Sequence, residues 1–377
     1  MDRPGVPGRT DGIRVAFLGN AMATAPATNA ANDSWDFGRL GPYRVIGSIA
    51  IGGMGVVLRA QDVRDGRMVA LKTTRSKRPS EVAGIRREIS VLKEISHPAI
   101  VRLIADGTSG GLPWMAMELL PGQTLSEMVA TLWRKAPPRP AGAAPVPRPR
   151  AGAGRLREVV KIVAQVGRAL DCLHGRGLVH RDVKPSNIMI GSDGRVTLFD
   201  FGLACPSRGD ATAAGAAELC PGVGTLEYAA PEQMRGEVVD ARADIYALGS
   251  VLYELVTGRR PKDAGAESSV TEQPDRSAPP VDPPAPSTLV SGVPRDLETM
   301  MIWMLAQRRE DRLGNVREIV DMLEIIVGQL FEAPEDRVGA LEMQNLSVFD
   351  NRAFLIANLA ARRPITEILG DDDGDSC

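Results

Sequence analysis

A run of polar and charged residues near the middle of the chain has the residue types and spacing for phosphoryl transfer. The run reads His180-Arg181-Asp182-Val183-Lys184-Pro185-Ser186-Asn187, and Asp200-Phe201-Gly202 follows after a short apolar stretch. Mg²⁺ prefers carboxylate or amide oxygens together with phosphate oxygens, and Asn187 and Asp200 offer one of each. Asp182 can accept the proton of an attacking hydroxyl, and Lys184 can neutralise charge on the phosphoryl group. Each residue alone is typical of a polar loop, but the ordered set indicates catalysis.

Two features nearer the N-terminus could hold a polyphosphate. In Ile49-Ala50-Ile51-Gly52-Gly53-Met54-Gly55-Val56-Val57 the glycines let backbone amides approach phosphates with no side chain between them. A glycine-rich hairpin turn is by itself more often only a turn. Lys72 ends the apolar run Val69-Ala70-Leu71, where a half-buried ammonium needs a counter-charge, and Glu88 can supply it. The alternative is that both residues are ordinary solvent-exposed side chains that do not pair.

These residues lie on or between predicted elements of two kinds. From Tyr43 to about Glu118, short β-rich runs surround one helical stretch, 81–95, with apolar residues at three- and four-residue spacing. Beyond it the pattern predicts helices, over 156–173, 244–257, 297–306 and 316–331. The sequence therefore predicts an α+β fold with a small β-rich N-terminal lobe and a larger α-helical C-terminal lobe.

Prolines and composition suggest how the chain is divided. Half of the 28 prolines fall in two stretches, 136–154 and 261–294, which are predicted to loop out because proline interrupts helices and central strands. Residues 128–157 include no acidic residue and several arginines, so the first stretch is expected to form an extended positive arm. A tolerated surface insertion is the simpler interpretation of this arm, and recruitment of acidic partners is the alternative.

The predicted domain limits follow from these stretches. Residues 1–42 are expected to be a disordered leader, 43–331 one domain, and 332–377 an extension with an acidic tail. Within the domain, the predicted parts are an N-terminal lobe over 43–117, a hinge over 118–121 and a C-terminal lobe over 122–331.

Composition excludes several classes of function. The 377 residues are 44% hydrophobic and 24% charged, which suits a globular protein with a sizeable core. With 45 Lys and Arg against 47 Asp and Glu, the net charge of -2 argues against a nucleic-acid-binding protein. Four scattered cysteines favour a reducing compartment, and we expect a cytoplasmic protein. No apolar run approaches the ~18 residues of a membrane span. The oligomeric state stays open.

Taken together, the motifs resemble those of eukaryotic-type protein kinases, and the bacterial members most. The resemblance covers about Tyr43 to Leu330. It is carried by Gly52–Val57, Val69–Lys72, Glu88, His97-Pro98, Met117–Leu120, His180–Asn187, Asp200–Gly202, Gly224–Tyr228, Ala230–Glu232, Asp244–Gly249 and Arg312. It implies a bilobal kinase fold, ATP with Mg²⁺ (or Mn²⁺), and protein substrates with Ser or Thr acceptors.

The resemblance also implies a role for each site residue. Lys72 would bind the α- and β-phosphates and pair with Glu88, Asp182 would be the catalytic base, Lys184 would bond the γ-phosphate, and Asn187 and Asp200 would hold the metal. Arg312 would pair with Glu232, and Leu92, Leu103, His180 and Phe201 would stack between the lobes. The nucleotide site would comprise Ile49, Ala50, Gly52, Gly53, Gly55, Val57, Ala70, Lys72, Glu88, Met117, Glu118, Leu120 and Met189.

Ser/Thr specificity is implied by the segment around the base. Asp182-Val183-Lys184-Pro185-Ser186-Asn187 resembles the Ser/Thr branch, and Thr225 would complete a hydrogen-bonded group with Asp182 and Lys184. One departure is Ala50, which stands where the family has its first loop glycine, and we expect a modest loss in nucleotide fit. A pseudokinase scaffold and a small-molecule phosphotransferase are the alternatives, although the segment 224–232 speaks against the second.

Regulation is suggested by Arg181, which in this family commonly reads a phosphate on the activation segment, here about 203–224. That segment holds few hydroxyls, and Thr212, with Ser207 as runner-up, is predicted to carry activating autophosphorylation. Cys205 and Cys220 flank the segment, where unpaired thiols are the expectation and a redox latch the alternative.

Overall fold

The β-rich runs near the N-terminus form an antiparallel sheet of six strands. In a computed structural model of the chain, which describes residues 38–52, 55–133, 149–207, 227–264 and 282–332, the sheet order is β1-β2-β3-β4-β6-β5. The strands are β1 Arg39–Leu40, β2 Tyr43–Gly52, β3 Gly55–Asp62, β4 Met68–Thr73, β5 Leu103–Ser109 and β6 Leu112–Glu118. Tyr43, Leu71 and Trp114 are buried in one apolar cluster on this sheet.

Several residues for which the sequence makes predictions lie outside the described ranges. They are Gly53, Thr212, Cys220, Thr225 and the parts of the predicted leader, inserts and extension that comprise 1–37, 134–148, 265–281 and 333–377.

One helix packs on the sheet. Helix α1 spans Pro79–Glu94 and contacts β5 and β6, with Ile85, Glu88 and Leu92 among its buried residues. It starts two residues before the predicted helix, at Pro79. Proline lacks a backbone N–H, and the first position of a helix does not need one. The sheet and α1 form the small lobe.

The larger lobe is helical, as expected. Its helices are α2 Leu125–Leu132, α3 Ala153–His174, α4 Pro231–Met234, α5 Arg242–Thr257, α6 Pro261–Ala264, α7 Pro286–Leu289, α8 Arg295–Met304 and α9 Val316–Glu332. Its short strands are β7 Gln123–Thr124, β8 Leu178–Val179, β9 Ile188–Ile190, β10 Val196–Leu198 and β11 Cys205–Pro206. Helix α3 packs against both α5 and α9. The predicted α+β, two-lobed architecture is confirmed, and no helix in the described ranges is long and apolar enough to cross a membrane.

Three predicted boundaries need correction. Arg39–Leu40 pairs with β2, although 1–42 was expected to lack order. Helices α6 and α7 lie within 261–294, and α3 begins within 136–154, although both stretches were expected to loop out. Pro261 and Pro286 each begin a helix, a position where proline is well tolerated.

The ends of the two proline-rich stretches are anchored side by side. Ala151 N–H donates to the carbonyl of Ser291 at 2.8 Å, and Ser291 N–H donates to the carbonyl of Pro149 at 3.0 Å. Trp133, which precedes the first stretch, donates its indole N–H to Leu255 O, and Arg155 lies 3.9 Å above its ring. Both stretches therefore leave the same face of the large lobe.

Two glycines lie where helices of the large lobe pack closely. A Cβ atom at Gly167 on α3 would lie 2.7 Å from Val320 Cγ2 on α9. A Cβ atom at Gly249 on α5 would lie 2.7 Å from Met304 Cβ on α8. Since real Cβ contacts are longer than this, both positions require glycine for the observed packing.

We predict that Gly249→Ala destabilises the fold by about 1–3 kcal/mol, because the added methyl group overpacks the α5–α8 contact. The matched control is Gly328→Ala on α9, where a Cβ meets nothing within 4 Å. That change should stabilise by up to ~1 kcal/mol through helix propensity. Urea unfolding measures both, and changes of the same sign would contradict the packing described here.

Candidate active site

The site is organised around the ammonium group of Lys72 on β4. Lys72 Nζ lies 2.6 Å from Glu88 Oε2 on α1 and 2.7 Å from Asp200 Oδ1, which follows β10. The side chains of Lys72 and Glu88 are 9% and 1% exposed, whereas that of Asp200 is 30% exposed. The predicted Lys72–Glu88 ion pair is thus present, and one carboxylate of the group faces solvent.

The charges of Lys72 and Asp200 stabilise each other against burial, whereas at Glu88 burial outweighs Lys72 and raises the pKa of that carboxyl. Burial lowers the pKa of Lys72, but the carboxylates of Asp200 and Glu88 outweigh it and raise that pKa. Burial likewise opposes ionisation of Asp200, but Lys72 outweighs it and lowers the pKa of that carboxyl. Lys72 is therefore a cation and Asp200 an anion at neutral pH, as phosphate binding and metal binding require.

The segment that carries Asp200 is fixed to α1 by backbone contacts. Phe201 N–H donates to Glu88 Oε1 at 3.2 Å, and Arg87 donates to the carbonyl of Gly202, also at 3.2 Å. Asp200 itself has φ 68°, a left-handed conformation that costs energy for a residue other than glycine. Glu88 thus positions both Lys72 and the strained turn that presents Asp200.

The predicted base lies in a second cluster on the large lobe. Asp182 Oδ2 accepts hydrogen bonds from Lys184 Nζ at 2.7 Å and from Asn187 Nδ2 at 3.0 Å. Asn187 Nδ2 also donates to the carbonyl of Asp182 at 2.9 Å, so neither of these bonds uses the amide oxygen that a metal would need. The structure brings together Asp182, Lys184 and Asn187 as predicted.

A buried carboxylate, Asp244 on α5, holds the loop that carries the base. It accepts hydrogen bonds from the backbone N–H groups of His180 and Arg181, both at 2.8 Å, and lies 2.8 Å from His174 Nε2. Burial opposes its ionisation, but the hydrogen bond from His174 and the other donors outweigh this and lower its pKa. Arg181, next to Asp182, has φ 68°. Asp244 therefore stabilises the strained backbone beside the base.

Sequence reasoning noted Asp244 within a motif but gave it no role. An acidic residue at the start of an apolar helix favours a helix cap or a buried hydrogen-bond acceptor, so the sequence could have indicated this role. Gln233 was missed altogether: its side chain accepts from Ala230 N–H and donates to Arg181 O, both at 3.0 Å. No local pattern distinguishes this glutamine from a surface residue.

The residues assigned to adenine come from both lobes. Ala70 on β4 is directly opposite Met117 on β6, and both are buried, as is Met189 on β9. Leu120, just after β6, is also buried. The side chain of Glu118 instead accepts from Arg102 N–H at 3.0 Å and from Arg195 Nη2 at 2.9 Å, a contact between the lobes that the sequence did not indicate.

The glycine-rich turn joins β2 and β3. Gly52 is opposite Gly55, and Ala50 is opposite Val57. Gly55 has φ 139°, and a Cβ atom there would lie 2.3 Å from Thr73 O, so only glycine fits. Among the described residues other than its chain neighbours, none has an atom within 4 Å of a Cβ built at Gly52, so that position is open. Ile49, Ala50 and Val57 are half-buried.

Two aromatic rings connect the segments around the base and Asp200. The rings of His180 and Phe201 are 4.8 Å apart in an edge-to-face arrangement, and both residues are fully buried. Burial lowers the pKa of His180, so its imidazole is neutral. Leu92 is buried and Leu103 is half-buried, and their stacking with these rings stays a prediction.

A buried ion pair stabilises the segment that begins at residue 227. Arg312 donates to both carboxylate oxygens of Glu232, at 2.6 and 2.8 Å, and their side chains are 0% and 2% exposed. Arg312 also donates to the carbonyls of Ala306 and Arg242. The predicted pairing of Arg312 with Glu232 is confirmed.

We predict that Arg312→Met destabilises the fold by about 3–5 kcal/mol, because it leaves the Glu232 carboxylate buried and unpaired. The matched control is Arg317→Met, since Arg317 is 73% exposed in its ion pair with Asp171. That change should cost less than about 1 kcal/mol. Chemical unfolding compares the two variants, and similar losses would contradict the stabilising role of Arg312.

Comparison with known proteins agrees with this geometry. The profile of the family described as Protein kinase domain matches residues 43–324. The serine/threonine-protein kinase PknB of Mycobacterium leprae is 35% identical over 301 residues, 78% of this chain and 44% of that protein. PknB of Mycobacterium tuberculosis is 34% identical over 297 residues, 76% of this chain and 43% of that protein.

A more distant relative is the probable serine/threonine-protein kinase PknB of Bifidobacterium longum, 32% identical over 320 residues, 81% of this chain and 42% of that protein. The chain thus spans less than half the length of these curated relatives. The match of most of the chain to one family profile, on a structure that assembles the family's motifs into one site, leads to a single conclusion: the chain belongs to the protein kinase domain family.

Proposed function

We propose that the chain is an ATP-dependent protein kinase that transfers the γ-phosphoryl group to Ser or Thr hydroxyls of protein substrates. The observation that carries the proposal is the pair of charge clusters, Lys72 with Glu88 and Asp200, and Asp182 with Lys184 and Asn187. The relatives named serine/threonine-protein kinases support the same activity.

The nucleotide would lie between the lobes. Lys72 is held as a cation beside β3, where it would bind the α- and β-phosphates, and the open space at Gly52 would let the β2–β3 turn cover them. Ala70 and Met189 would enclose adenine, and the backbone from Glu118 to Leu120 would bond its edge. Ala50 adds one methyl group at the start of the turn.

The donor set fits Mg²⁺ (or Mn²⁺). Asp200 offers a carboxylate that faces solvent, and Asn187 offers an amide oxygen, which are oxygen ligands of the kind that Mg²⁺ prefers beside phosphates. When bound, the metal neutralises negative charge on the phosphates during transfer.

The acceptor hydroxyl would be handled by the second cluster. Asp182 would orient the hydroxyl and take up its proton, and Lys184, 2.7 Å from that carboxylate, would stabilise charge on the transferred group. Asn187 holds the Asp182 side chain in place through its hydrogen bond. Because Lys184 bonds the base directly, the cluster suits the Ser/Thr branch of the family.

A cytoplasmic signalling role completes the proposal. Its support is the sequence, whose four scattered cysteines favour a reducing compartment. The near-neutral net charge gives no reason to add nucleic acid to the partners.

We predict that Asp182→Asn abolishes phosphoryl transfer but leaves the Kd for ATP within a few-fold, because Lys72 and not the base binds the nucleotide. The control is Asp321→Asn on the exposed face of α9, which should leave both quantities unchanged. Steady-state transfer to a basic protein and ATP titration provide the two measurements. Substantial kcat in Asp182→Asn would contradict the assignment of Asp182 as the catalytic base. Absence of turnover in the parent would favour a pseudokinase.

We also predict that the protein autophosphorylates at Thr212, with Ser207 as the second candidate. The structural support for this prediction is Arg181, whose Nε is buried and has no hydrogen-bond partner in the part of the chain that the structure describes. A phosphate could satisfy that donor. Mass spectrometry of protein from a phosphatase-free host should find the phosphate, and full activity of an unmodified protein would contradict the idea.

A further inference from the structure

Three consecutive residues near the catalytic loop are each held by a side chain from the end of α5 or the residues after it. Arg260 forms an ion pair with Glu227, Glu254 accepts a hydrogen bond from Tyr228 OH at 2.5 Å, and Lys262 Nζ donates to Ala229 O at 2.7 Å. We call residues 227–233 the acceptor segment. Helix α6, which carries Lys262, forms the start of the second proline-rich stretch.

Hydrogen bonds continue from Lys262 to the catalytic loop. Ala230, the residue after Ala229, donates its N–H to Gln233 Oε1, and Gln233 Nε2 donates to Arg181 O, both at 3.0 Å. Arg181 immediately precedes Asp182, and its φ of 68° is a conformation that only its surroundings maintain. The acceptor segment is therefore hydrogen-bonded to the residue before Asp182, and Lys262 contacts the same segment at Ala229.

Lys262 is not an ordinary surface lysine. Burial lowers the pKa of its ammonium group to about 8, although the carboxylates of Glu227 and Asp263 oppose this change. Its Nζ also lies 3.3 Å from Met234 Sδ and 5.9 Å from the centre of the Tyr246 ring.

We propose that Lys262, acting through Ala229 and Gln233, is a positioning residue that sets the affinity of the site for its protein substrate. The inference rests on the proposed function and deepens it. The contacts described for Lys262, with Ala229, Met234 and Tyr246, involve none of the residues assigned to nucleotide or metal, so we expect its effect on the phosphoacceptor. Because α6 is the first part of the second proline-rich stretch, the same contacts connect that stretch to the catalytic loop.

The test compares Lys262→Met with the parent, using peptide and ATP as separately varied substrates. Methionine keeps the length of the side chain but removes the charge and the donor, so KM for peptide should rise about 10-fold. KM for ATP should stay within about two-fold, because Lys72 and its partners are untouched. Lys262→Arg, which keeps a cationic donor, should recover most of the loss.

The control variant is Arg259→Met, an exposed cation three residues away, which should match the parent. Melting temperature separates positioning from structure: Lys262→Met should melt close to the parent, because relief from burying a charge opposes the loss of one hydrogen bond. The double variant Lys262→Met with Gln233→Leu should lose no more than the larger single loss, because both changes act on one chain of hydrogen bonds.

Amide hydrogen exchange over 227–233 provides a readout that needs no activity, and Lys262→Met should accelerate exchange there. An inactive parent would contradict the proposed function. Even then, comparing amide hydrogen exchange over 227–233 in the parent and Lys262→Met would test whether Lys262 positions this segment. Unchanged KM for peptide in an active Lys262→Met variant, equal losses for peptide and ATP, additive losses in the double variant, or unchanged exchange would each overturn the inference.

Discussion

The fold depends most on the ammonium group of Lys72 between two carboxylates. A buried cation without partners would be strongly unfavourable, so β4, α1 and the turn after β10 must meet at one point for the chain to bury Lys72. That requirement fixes the small lobe against the large one. It also leaves Asp200 partly exposed and negatively charged at the mouth of the site.

A second buried charge does the same for the large lobe. Asp244 on α5 accepts hydrogen bonds from the two residues before Asp182 and thereby stabilises the left-handed conformation of Arg181. Strained backbone persists where surrounding bonds over-determine it, and here the strain lies directly beside the base. The same helix and the residues after it also bond the acceptor segment. Helix α5 thus contacts both the loop that carries Asp182 and the acceptor segment.

Much of this could be predicted from the sequence, because the chemistry is concentrated in short motifs and the helices are strongly periodic. The Lys72–Glu88 and Arg312–Glu232 pairs and the grouping of Asp182 with Lys184 and Asn187 were all expected and are present. Contacts between distant residues that belong to no family motif were not readable. Glu118 with Arg195, and Gln233 with Arg181, depend on tertiary placement that no local pattern encodes. The short helices at Pro261 and Pro286 were not expected, because proline interrupts a helix but is well tolerated at its first position.

The central claim is that this site phosphorylates Ser and Thr hydroxyls of proteins, and phosphoamino acid analysis tests it most directly. The parent and Lys72→Met are incubated with γ-labelled ATP, Mg²⁺ and a generic basic protein, and the labelled protein is hydrolysed. The account predicts label on phosphoserine and phosphothreonine with the parent and almost none with Lys72→Met. Label on tyrosine, label only on small molecules, or no label above the Lys72→Met background would contradict it.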